Sequence, residues 1–226
     1  MSLRLNKVLF KSKAARGFTL IELLVSISIM AIILGITFSG GPQAATRLSL
    51  SDNTSQVEIM IREAQLQGSA INSLNGIFGG VGVFFDRATS SEVLKFKDIV
   101  DTSIQKTIGV GNGLYDPALS SGVPPIFEKE SILKMTNRNR LQKLCVATST
   151  SPIMCNDEYI PHINTLTVSF SRPRQEAHMY VNGATTTDYT FGCIQIYSVG
   201  GSSTSDVRSI LIYGSGMVTK TTVPCN

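Results

Sequence analysis

An α+β fold is expected from three features of this 226-residue chain. An apolar run of helix length lies near the N-terminus, a second stretch with helical periodicity follows it, and short glycine-bounded, β-branched segments fill the remainder. The expected arrangement is a long N-terminal α-helix, half membrane stem and half amphipathic, packed on a small antiparallel β-sheet domain. The boundaries expected are 1–17 for a basic leader and 18–38 for a transmembrane helix. A hinge and amphipathic helix should then cover 39–75, and a β-rich domain 76–226.

The leader carries Arg4, Lys7, Lys11, Lys13 and Arg16 and no acid. Residues 18–38 contain Glu22 as their only charge, and at about 1.5 Å per residue they span roughly 31 Å, enough to cross a bilayer core. Basic flanks stay in the cytoplasm, which places the bulk of the chain outside it. A secretory signal has an apolar core of about 7–15 residues with no acid at its start, so it fits neither this length nor Glu22. A plain single-pass anchor explains the length but not the acid.

Gly17-Phe-Thr-Leu-Ile-Glu-Leu-Leu-Val25 closely resembles the class III signal of type IV pilins and of the pseudopilins of secretion and competence systems. The resemblance implies cleavage by prepilin peptidase after Gly17 and N-methylation of the new first residue, Phe18. Glu22 then becomes the fifth residue of the processed chain, where that family carries its glutamate. Near a helix N-terminus the backbone dipole favours a carboxylate by about 0.3–1 kcal/mol. An acid at mid-membrane costs about 2.5–3.5 kcal/mol, so a cation is still wanted. The free amine of Phe18, created only by cleavage, is the expected partner; if it belongs to a neighbouring subunit, the pair sets the stagger between packed helices. Phe18 and Glu22 are therefore expected to be assembly residues.

Gly35 and Ser39-Gly40-Gly41-Pro42 are expected to break the helix and form a hinge, since glycine weakens a helix and proline removes a donor. From Gln43 to about Ala70 the pattern is helical again, with Val57, Met60, Ile61, Ala64, Ile71 and Leu74 on one stripe. Strands are expected at 80–86, 92–98, 144–147, 165–170, 179–181, 193–197 and 209–213, with residues 105–130 looping out. The helical stripe, Gly80-Val-Gly-Val-Phe-Phe-Asp86 and the late Val207–Val218 pattern together resemble GspH/FimT-type minor pseudopilins. The long 98–140 stretch and the four cysteines depart from that pattern.

Net charge is formally +4, but the leader supplies five of the twenty Lys and Arg; without it, fifteen basic groups face sixteen acids, or −1. A general electrostatic case for nucleic acid or anionic membrane therefore fails. Cys145, Cys155, Cys193 and Cys225 lie in the extracytoplasmic segment and allow two disulfides in three connectivities. Cys145–Cys155 and Cys193–Cys225 are favoured, one closing a Ser/Thr/Pro loop and the other tying the tail to a strand. Zinc is disfavoured because no Cys-x2-Cys pair occurs and His162 and His178 are isolated; no metal or cofactor is expected.

Nothing in the chain reads as catalytic, so no enzyme is expected. Gly109-Val-Gly-Asn-Gly113 lacks the Lys-Ser/Thr of a phosphate loop, and Asp98, Asp101, Asp157 and Glu158 lack the spacing of an EF-hand. One basic group, Arg138 and Arg140 together with Arg172 and Arg174, would grip a phosphate backbone if its two halves met. The leading expectation is a structural minor pilin or pseudopilin of a type IV pilus-like or type II secretion filament. It would be single-pass in the inner membrane before joining a filament in the envelope or at the cell surface. Its partners would be other pilin subunits, prepilin peptidase, an inner-membrane assembly platform and membrane lipid. The alternatives are a DNA-binding minor pilin and a membrane-tethered ligand-binding module.

Overall fold

The computed structural model describes residues 17–70, 78–99, 112–115, 128–136, 138–156, 162–171, 175–185, 189–199 and 206–225. The element order is one helix, α1 (Leu20–Ala70), then ten strands: β1 (Phe78–Asp86), β2 (Glu92–Ile99), β3 (Lys129–Lys134), β4 (Asn139–Ala147), β5 (Met154–Cys155), β6 (Thr165–Phe170), β7 (Ala177–Val181), β8 (Phe191–Ser198), β9 (Val207–Tyr213) and β10 (Val218–Thr221). The fold is α+β. By internal contacts the chain divides into two compact units, Met1–Ala44 and Ala45–Asn226.

The helical assignment runs without interruption through 39–42, so the break expected there is not a break in the backbone helix. Each glycine costs up to about 1 kcal/mol and Pro42 forfeits one hydrogen bond, but propagation from the helical turns on both sides offsets such local losses. In the first unit, residues 17–37 are exposed throughout. Leu20–Thr37 is long and apolar enough to cross a membrane.

In the second unit, the strands form two antiparallel five-stranded sheets. Sheet I has the order β3-β2-β1-β6-β7 and sheet II the order β10-β9-β8-β4-β5. Period-2 alternation sends one face of each sheet into a shared core. On sheet I, Val83, Val168 and Met179 are register partners, as are Phe85, Leu166 and Val181. On sheet II, Leu144, Ile194 and Ile210 form one such row, and Gly192 and Ile212 belong to the next. A Cβ on Gly192 would stand 2.8 Å from the Met179 sulfur, so this glycine is the notch that receives a sheet I side chain.

The helix closes the same core with Leu50, Thr54, Val57, Ile61 and Ala64, spaced three and four residues apart and all fully buried. Burying each large aliphatic side chain among these contributes roughly 1.5–3 kcal/mol. Ile71 and Leu74, expected on the same stripe, lie outside the described residues. Polar contacts fix the helix against both sheets. Lys95 Nζ of β2 lies 3.0 Å from Glu63 Oε1, and Arg62 donates to the Val218 carbonyl of β10 at 2.9 Å. Near the helix end Gln65 Nε2 donates to the carbonyls of Gly216 (2.9 Å) and Gln175 (3.3 Å). It thereby ties the β9–β10 turn to the entry of β7, where the two sheets meet: Ala177 N–H of sheet I donates to the Gly214 carbonyl at 3.0 Å.

Strands β3, β5 and β10 were not among those expected, and β4 is longer than expected. Strand β3 falls at the end of the segment read as loop. It is a sheet edge whose ends are exposed and whose middle is only half-buried, so its sequence lacks a clean apolar alternation. Strand β4 begins at Asn139 rather than at 144, its outward positions being polar.

Cys145 bonds to Cys155 and Cys193 to Cys225, the pairing favoured from the sequence. Cys155, Cys145 and Cys193 are successive register partners across β5, β4 and β8. The two bridges therefore lie side by side on the face of sheet II turned away from the main core. All four cysteines are buried, with Phe191 and Leu211 packed against them. The C-terminal segment covers this face, and its Cys225 N–H donates to Gln195 Oε1 at 2.9 Å.

Candidate functional site

The residues singled out at the N-terminus form a continuous, fully exposed segment. Gly17, Phe18 and Thr19 are non-helical, and α1 starts at Leu20. The start is set by Thr19: its carbonyl accepts the first helical bond from Leu23 N–H at 3.2 Å, and its Oγ1 accepts from Glu22 N–H at 3.3 Å. This is N-cap geometry, with Glu22 at the third helical position as in a capping box. Phe18 precedes the cap and is 78% exposed. Thr19 is the site residue that a reading by charge passes over, although the Thr-x-x-Glu spacing signals it.

Behind the cap, the hydroxyls inside the apolar run are bonded to the helix itself. Ser26 donates to the Glu22 carbonyl at 2.7 Å, Ser28 to Leu24 at 2.8 Å and Thr37 to Ile33 at 2.9 Å. Internal satisfaction of this kind is what hydrocarbon demands of a hydroxyl. The Glu22 carboxylate is the exception: it stands in the first turn of an otherwise uncharged span, beside the positive end of the helix dipole. The site therefore offers one carboxylate, an apolar helical surface around it and a short non-helical segment ahead of it. That arrangement suits docking against another helix rather than bond-making chemistry.

Of the four basic candidates, Arg138 and Arg140 fall among the described residues. Arg138 is exposed in the turn before β4 with φ of 64°, and Arg140 is half-buried, its Nη1 donating to the Asn139 carbonyl at 2.7 Å. Arg172 and Arg174 lie outside the described residues. The described neighbours of the two groups sit far apart along α1: Asn139 Nδ2 donates to Ser49 Oγ at 3.1 Å, while the Phe170 carbonyl lies against Gly68. About 28 Å of helix separates those anchor points. Of the acids considered for calcium, Asp98 is buried and accepts from Gly113 N–H at 2.8 Å, whereas Asp101, Asp157 and Glu158 fall outside the described residues.

Residues 12–38 match the family model of the prokaryotic N-terminal methylation motif. The chain thus carries a type IV pilin-like methylation motif on an apolar N-terminal helix. No curated protein matches the chain. No solved structure matches it either.

Proposed function

We propose that this chain is a structural subunit of a type IV pilus-like or type II secretion filament, within the GspH/FimT-type group of minor pseudopilins. The observation that carries the proposal is the methylation motif at 12–38, which takes in the exposed apolar span Leu20–Thr37 with Glu22 as that span's single charge. Prepilin peptidase cleaves between Gly17 and Phe18 and methylates the Phe18 amine. Residues 18–38 hold the subunit in the inner membrane, and the domain beyond lies outside the cytoplasm. Within the filament, Glu22 pairs with the Phe18 amine of a neighbouring subunit. The pair offsets the roughly 2.5–3.5 kcal/mol cost of a carboxylate in the membrane and fixes the axial stagger of adjacent helices. The β-rich domain contributes subunit contacts and any ligand specificity, with no catalytic role.

Glu22→Ala tests this directly. The variant should insert into the membrane and be cleaved like the wild type, yet be depleted from sheared filaments by roughly ten-fold or more, on a pair worth over about 1.4 kcal/mol. Normal incorporation of Glu22→Ala would remove the pairing. An unprocessed wild-type chain that never enters a filament would point instead to a tethered ligand-binding module. DNA retardation by wild-type protein but not by Arg138→Ala/Arg140→Ala would reassign it to DNA capture.

A further inference from the structure

We infer that Thr19 is a positioning residue for the processing step: by capping α1 it holds the Gly17–Phe18 peptide bond outside the helix, in the non-helical form a peptidase cleft accepts. The inference rests on the proposed processing at that bond. Three observations carry it. The helix begins at Leu20, and Glu22 N–H and Leu23 N–H are both taken up by Thr19, through its hydroxyl and its carbonyl. Gly17 and Phe18 are non-helical and exposed, and a side chain built on Gly17 would meet no atom within 4 Å. Apart from Gly17, which weakens a helix without stopping it, nothing else in the local sequence ends the helix at that point. No proline precedes it, and Ala14-Ala15-Arg16 are good helix formers upstream of a single glycine.

Without the hydroxyl, the first-turn N–H groups lose a partner. At a membrane surface the cheapest way to satisfy them is to add helical residues upstream, whose carbonyls then accept from that turn. Such an extension winds Phe18 and Gly17 into the helix and engages their backbone in helical bonds. In hydrolysis, the oxygen of water adds to the Gly17 carbonyl carbon, the C–N bond to Phe18 breaks, and a proton from that water passes to the departing nitrogen, leaving a Gly17 carboxyl group and a free Phe18 amine. That carbonyl must be accessible for the addition. A substrate that is competent only part of the time binds more weakly by the competent fraction, so the loss falls on KM rather than on kcat. The cap lies wholly on the Phe18 side of the bond and so survives cleavage, leaving the new amine just outside the helix end.

The experiment uses the full-length precursor in detergent micelles with prepilin peptidase, comparing wild type with Thr19→Val, Thr19→Ser and Thr19→Asn. Valine keeps the shape and removes the hydroxyl; serine and asparagine restore a capping oxygen. We expect Thr19→Val to lower kcat/KM about five-fold, the factor a helix cap is typically worth, with the change in KM and with both capping variants returning to the wild-type value. Backbone amide chemical shifts of residues 16–20 should become helical in Thr19→Val alone. Wild-type kinetics for Thr19→Val would overturn the inference while leaving the filament reading intact. The inference would also fail if serine and asparagine did not rescue, or if Thr19→Val slowed cleavage with the helix start unmoved, either of which would mean direct recognition of the threonine. Failure of the wild type to be cleaved at all would overturn both readings.

Discussion

Gly216 is where two sheets and the helix converge, and Gly216→Ala is the substitution whose cost the structure defines best. Its φ of 86° lies in the left-handed region, and an added Cβ would collide with the Gln175 carbonyl oxygen and stand 2.5 Å from Gln65 Nε2. Backbone strain for a residue with a side chain there is about 1–2 kcal/mol. Relief of the clash separates the β9–β10 turn from the entry to β7, breaking the Gln65 bonds to Gly216 and Gln175, at about 0.5–1.5 kcal/mol each. The sum is about 3 kcal/mol, or a fall of roughly 6–12 °C in Tm for a domain of this size. Gly183→Ala is the internal control. Its φ of 72° carries the same strain, but no atom lies within 4 Å of its Cβ position, so it should cost only that strain, about 1–2 kcal/mol. Urea or thermal unfolding of both variants, disulfides intact, measures the difference. In the Gly216→Ala background, Gln65→Ala should add almost nothing. Equal destabilisation by the two glycine substitutions would refute the reasoning, because the corner contact would then contribute no energy.

Three further outcomes are expected. The two disulfides lie in a buried cluster, so alkylation after mild reductant should leave all four cysteines unmodified until denaturant is added, and Cys193→Ala/Cys225→Ala should lose about 2–4 kcal/mol. Lys95→Met should change unfolding free energy by less than about 1 kcal/mol. An apolar side chain suits its buried site, and its partners Glu63 and Glu130 keep some access to water, whereas Lys95→Glu should be strongly destabilising. The Tyr115 hydroxyl titrates above the usual tyrosine value of 10.0, first because the residue, its ring against Phe84 and Phe96, is partly withdrawn from water and then because Glu128 adds negative charge. The unfolded chain then releases this proton first, so the contribution is full below pH 10 and declines as pH climbs through the folded value. Tyr115→Phe should flatten that alkaline decline in stability, which a pH series of denaturant titrations records.

The parts of the fold legible in the sequence were those where one periodicity acts alone. Thr165–Phe170 and Ser209–Tyr213 read as strands because each alternates, or runs apolar, between clear turn residues, and Val57, Ile61 and Ala64 read as a helix face because they recur at helical spacing. Strand β3 was hidden because an edge strand needs no apolar face, and its Lys129, Glu130 and Lys134 answer to solvent and to ion pairs with neighbours. Continuity of α1 through Gly40, Gly41 and Pro42 was illegible because each residue locally disfavours a helix, while the outcome depends on the turns on either side. At the N-terminus, charge and hydropathy drew attention to Glu22, and the cap that fixes its position in the helix came from a hydroxyl three residues earlier. The meeting of Gln65, Gly216 and Gln175 joins positions more than a hundred residues apart, and no local pattern encodes such a junction.

The central claim is that Glu22 stands in an apolar helix because proteolysis supplies an amine to neutralise it. Intact-mass and N-terminal peptide mass spectrometry of the protein purified from its native membrane tests that claim most directly. The account predicts a chain beginning at Phe18 with one methyl group on its amine. A first residue at Met1, or at any position beyond residue 38, would contradict it.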